Sequence, residues 1–142
     1  MTTSIPNALL SGTAGAVALT TIHQLARAIT PDAPRMDIVG MRALTRGLRA
    51  SGHEPHDKDR LYLATLAGDL IGNSAYYSLA TTYTRGTVLG VLAGIGALLL
   101  PEPMGLGSPP KSERLPNQVM TVAWYLTGGL VAAAVAQRLA RR

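Results

Sequence analysis

The sequence predicts an all-α, polytopic integral membrane protein: four transmembrane helices plus one amphipathic helix at the cytoplasmic interface, in a single membrane domain over residues 1–142. Three observations predict it. Four long apolar runs are nearly free of charge. The composition is 47% apolar and only 15% charged, with fifteen Gly, one Trp, five Tyr and no Phe. Basic residues lie between or beside the apolar runs. A soluble core of this size would use several large aromatics, whereas helices packing in lipid favour small residues that let backbones approach. A soluble four-helix bundle should also show a charged face on each helix, and whole segments here have none.

The first run, residues 6–30, opens at Pro6, stays uncharged until Arg27 and is stopped by Pro31. At about 1.5 Å per residue it can cross a ~30 Å hydrocarbon core. No Lys or Arg precedes it, so it reads as a retained helix rather than a cleaved signal. The second run, 61–82, contains the lone charge Asp69. The third, 84–100, is the shortest, with Arg85 snorkelling to its edge and Pro101 closing it. The fourth, 117–140, is uncharged as far as Arg138.

Lys and Arg counts near helix ends set the orientation. The first connection holds Arg35, Arg42, Arg46, Arg49, Lys58 and Arg60, and the third holds Lys111 and Arg114. That majority places both long connections in the cytoplasm and both termini outside, although Arg138, Arg141 and Arg142 in the tail count against it. The expected location is the bacterial inner membrane. The net charge of +5 then answers to the lipid bilayer and its anionic headgroups rather than to nucleic acid.

Small residues recur four apart: Gly12 and Ala16; Gly68 and Gly72; Gly86, Gly90 and Gly94; Gly128, Ala132 and Ala136. Such ridges serve packing within one chain, and those left over could serve a homo-oligomer or a larger membrane complex.

Chemistry is expected around Asp69, because an ionisable residue inside a span is costly and has a partner or a pathway. Helical spacing lines Thr65, Asp69, Asn73 and Tyr76 on one face, and Thr20, His23, Gln24 and Arg27 form a strip on the first helix. From the rise per residue, His23, Asp69 and Tyr125 all lie roughly 12–13 Å inside the same edge. One reading makes Asp69 and His23 a proton-responsive pair, supported by Asn73, Tyr76 and Tyr125. The other makes the cluster a satisfied polar lock, with Arg27 or His23 neutralising Asp69.

Between the first two runs, residues 35–51 form a basic amphipathic helix. Arg35, Arg42, Arg46 and Arg49 fall within about 60° of one another at about 100° per residue. Pro34 suits its start and Gly52 its C′ stop. The arginine stripe is expected to face lipid headgroups or another anion, and guanidinium geometry suits phosphate.

Other chemistry finds little support. Without cysteine, thiol catalysis and thiolate metal sites are excluded. His53 and His56, with acids nearby, have the ligand types for a divalent metal, but their spacing matches no known motif and residues 52–59 read as a solvated loop. A single His among the spans is a poor basis for haem, and no cofactor is expected. Residues 101–116 form an irregular cap with no phosphate-loop or nucleophile-elbow pattern. A small transporter- or channel-like protein with an intramembrane polar site is the leading function. A non-catalytic accessory subunit of a larger membrane complex is the alternative, and an enzyme acting on lipid or quinone headgroups is the weakest.

Overall fold

A computed structural model describes residues 4–141, which form five α-helices and no strand. These are α1 (Ile5–Ile29), α2 (Met36–Ala50), α3 (Lys58–Tyr77), α4 (Tyr83–Leu99) and α5 (Leu115–Ala140). Of the C-terminal arginines, Arg142 lies outside the described residues.

Local chemistry sets each boundary. Pro6 occupies the first turn of α1, and Thr30, the residue before Pro31, is already extended. Asp57 caps α3 by accepting from the backbone N–H groups of Asp59 and Arg60 at 2.9 and 3.1 Å. Thr82 does the same for α4, accepting from Arg85 N–H at 3.2 Å. The second predicted span therefore ends at Tyr77 rather than residue 82, because Thr82 is committed to starting the next helix. At the end of α2, Gly52 has φ +81°. Its N–H bonds to Arg49 O and that of His53 to Leu48 O, at 3.0 and 2.9 Å. These two bonds make a Schellman stop, where glycine takes the left-handed conformation without a Cβ penalty.

Helix α5 packs along both α4 and α1, α1 packs along α3, and α2 lies across α3. Glycines set these contacts. A Cβ at Gly86, Gly90 or Gly94 of α4 would run into the backbone of α5, and one at Gly15 of α1 into α5 at Gly128 and Ala132. Gly12 meets the backbone of Ser74 and Ser78 in α3. Gly68 and Gly72 have nothing within 4 Å of a Cβ position, so that ridge faces outward. Tyr77, fully buried, ties α3 to α5 by donating its hydroxyl proton to Tyr125 O at 2.8 Å.

Two of the four predicted spans correspond to helices long and apolar enough to cross a membrane. These are α1 and α5; α4 is apolar but has 17 residues. Helix α3, of 20 residues, is less apolar, with Lys58, Asp59 and Arg60 in its first turn and Asp69 midway along it. Only 28% of the apolar window of α1 and 33% of that of α5 is buried. Large apolar side chains such as Leu10, Leu25, Leu63, Ile71 and Leu92 are more than half exposed.

Candidate functional site

A cavity of about 200 Å³ opens where α1, α2, α3 and α5 meet the end of α4. Its walls include His23, Arg27, Asp69, Asn73 and Tyr125, five of the six residues predicted to form the polar site. Tyr76 lies beyond it, lining the adjoining groove, where its hydroxyl donates to Leu89 O of α4 at 2.9 Å.

The first half of the site is a charged anchor that includes a residue the sequence patterns did not single out. Asp37, in the first turn of α2, accepts from Arg35 Nε and Nη2 at 2.8 and 2.7 Å. It also accepts from Arg27 Nη1 of α1 at 3.0 Å. The Arg27 guanidinium reaches the Tyr62 hydroxyl at 3.2 Å and lies 5.1 Å from the ring centre. Gln24 Nε2 donates to the same hydroxyl at 2.8 Å. Arg27 is therefore not the counter-ion of Asp69; the fold-back of α2 brings it Asp37 instead. Burial alone would raise the Asp37 carboxyl, but Arg35 and Arg27 outweigh it and hold the group below the ordinary carboxylate range.

A depressed folded-state pKa contributes stability above the unfolded value, about 4, and loses it as pH falls through the folded value. Thermal unfolding should accordingly show an acid-side loss beginning below roughly pH 4. Asp37→Asn should flatten that limb and cost about 1–3 kcal/mol at neutral pH. An unchanged acid limb in the variant would remove the anchor from the account.

The second half holds polar groups without protein partners. Among the described residues, Asp69 has no ion pair and neither Asp69 nor Asn73 makes a side-chain hydrogen bond. His23 packs edge-on against Trp124 and Tyr125, with ring centres 5.0 and 5.6 Å apart. Its Nε2 is a buried side-chain atom with no hydrogen-bond partner. Gly40 of α2 makes room above Asp69: a Cβ there would meet the Thr65 methyl at 2.6 Å and the two carboxylate oxygens at 3.5 and 3.6 Å.

The arginines of α2 act largely within the chain. Arg42 Nη1 donates to Leu106 O and Ser108 O at 3.0 and 3.2 Å, and Arg46 donates to Met104 O. Both therefore hold the connection between α4 and α5. Arg49 pairs with Glu54 at 3.1 Å. Lys111 Nζ donates to Pro31 O, and Asn117 Nδ2 to Asp32 O at 2.9 Å, pinning that connection to the end of α1. All of Arg42, Arg46 and Arg49 remain exposed. In the predicted solvated loop, His53 Nδ1 lies 3.0 Å from Ser51 O. No group of three or more metal-ligating side chains forms among the described residues.

No protein family, curated protein or solved structure matches the chain. The site is accordingly interpreted from its own geometry.

Proposed function

We propose that the chain is a small inner-membrane protein of transporter or channel type, with four spans and a polar site between them that admits a proton or a cation. The observation that carries this reading is the cavity beside Asp69, a carboxylate with neither ion pair nor hydrogen bond. A structural lock would be paired within the chain, whereas Asp69 is exposed and makes no bond to a protein group among the described residues. The exposed apolar side chains of α1 and α4 support placement in a bilayer, as exposed apolar area marks a membrane or partner surface. In this reading α3 and α4 complete the spans. The long connections lie on the cytoplasmic side, and the remaining donors of Arg42, Arg46 and Arg49 reach anionic headgroups.

The test is flux in proteoliposomes. Wild-type protein should carry a proton or monovalent-cation current under a gradient, and Asp69→Asn should reduce it to the protein-free leak while keeping its helical spectrum and elution profile. Equal flux in both would overturn the proposal. A second reading, an accessory subunit, is favoured by the open Gly68–Gly72 ridge. It requires a partner that stays bound in mild detergent, and a stable lone particle would count against it.

A further inference from the structure

The polar cavity is not a closed pocket. A second, mostly apolar groove of about 510 Å³ runs outward between α3 and α4 and shares Val39, Asn73, Ala97, Pro101 and Tyr125 with it. Leu92, Leu100 and Met104 line this groove and are each more than half exposed. Tyr76, bonded across to Leu89, joins the same two helices at the groove's edge. The gap between α3 and α4 thus has a polar inner end and an apolar outer end, and it opens on the side of the helices.

We infer that this gap binds a cationic amphiphile: an amine or ammonium head beside Asp69, with its single apolar chain lying in the groove between α3 and α4. The pairing pattern, not the net charge, selects the head. Among the ionised groups lining the cavity, Asp37 is held by Arg27 and also by Arg35 from outside the lining, whereas Asp69 has no ion pair. That unpaired carboxylate lines, together with Asn73 and His23, a cavity with room for a small head. An ammonium group can give Asp69 a charge-assisted hydrogen bond. An anionic head would meet Asp69 directly, with the nearby guanidinium of Arg27 already paired. The apolar outer groove selects the tail, because a small hydrated cation gains nothing from Leu92, Leu100 and Met104.

This inference rests on the membrane reading above, and its test separates the two. The probe is dodecylamine carrying a photoreactive diazirine near the end of its chain, added to the full chain in phosphatidylcholine nanodiscs. Labelling should concentrate on the groove face of α4 around Leu92 and Leu100, saturate, and be displaced by unlabelled dodecylamine but not by dodecanol or ethylamine. Asp69→Asn should raise the half-saturating concentration by at least about tenfold. Ala93→Trp, which fills the groove at a distance from the carboxylate, should abolish site-specific labelling. Labelling spread over all outward faces, or insensitive to Asp69→Asn in a folded variant, overturns the amphiphile site. Displacement by dodecanol as effective as by dodecylamine overturns the choice of head. Asp69-dependent cation flux without displaceable labelling overturns this inference while the transport reading stands; loss of both overturns both.

Discussion

Replacing Gly129 by Ala should lower the stability of the helix assembly by about 3 kcal/mol, near the upper end of overpacking costs. The added methyl would meet the carbonyl of Gly86 and stand 3.3 Å from the Cα of Gly90. Both obstacles are backbone, so no side chain can rotate away. The two helices would have to separate along the seam where Gly86, Gly90 and Gly94 seat against α5. Gly68→Ala is the matched control. Nothing lies within 4 Å of its Cβ position, and the greater helix propensity of alanine favours it by up to about 1 kcal/mol. Unfolding of the purified protein by a graded detergent denaturant measures both. Equal midpoints for the two variants would mean that close backbone approach does not hold α4 to α5. A large loss at Gly68 instead would place a partner, or a second copy of the chain, on the outer ridge of α3.

That contrast shows what the sequence could and could not reveal. The four-residue spacing of small residues identifies every ridge, yet it treats Gly68 and Gly90 alike. Which ridge is used depends on which helices become neighbours, and the central position of α1, between α3 and α5, is a tertiary outcome. His23, Asp69 and Tyr125, which the rise of 1.5 Å per residue puts at similar distances from their helix ends, line one cavity, and distance along a helix axis is a local property. It does not identify the partner of Arg27. Asp37 lies two residues from Arg35 in a helix whose other charged residues are all arginine, and its role emerges only when Gly40 lets α2 settle onto Thr65 and Asp69. The arginine stripe shows the same limit. Its periodicity is local and legible, while the carbonyls that Arg42 and Arg46 engage lie about sixty residues away.

Tyr77→Ala should cost about 3–5 kcal/mol, the range for losing a large aromatic from a packed core, and should disable the polar site with it. Tyr77 is fully buried, and its ring packs on Gly128, where no side chain could share the space. Its hydroxyl holds the carbonyl of Tyr125, the residue whose ring contacts His23. Direct contact between α3 and α5 is otherwise sparse, and α3 reaches the rest of the assembly mainly through α1. Truncation at Tyr77 would therefore free α3 to shift against α5, moving Asp69 relative to Tyr125 and His23. Tyr77→Phe separates packing from hydrogen bonding: it keeps the ring, leaves the Tyr125 carbonyl with its helical acceptor role, and should cost only about 1 kcal/mol. If ring packing sets the site, flux in proteoliposomes should survive in the Phe variant and fail in the Ala variant at a temperature where both remain folded. Equal failure in both would assign the positioning of α3 to the hydroxyl alone. Survival in both would show that α1 by itself holds Asp69 in register.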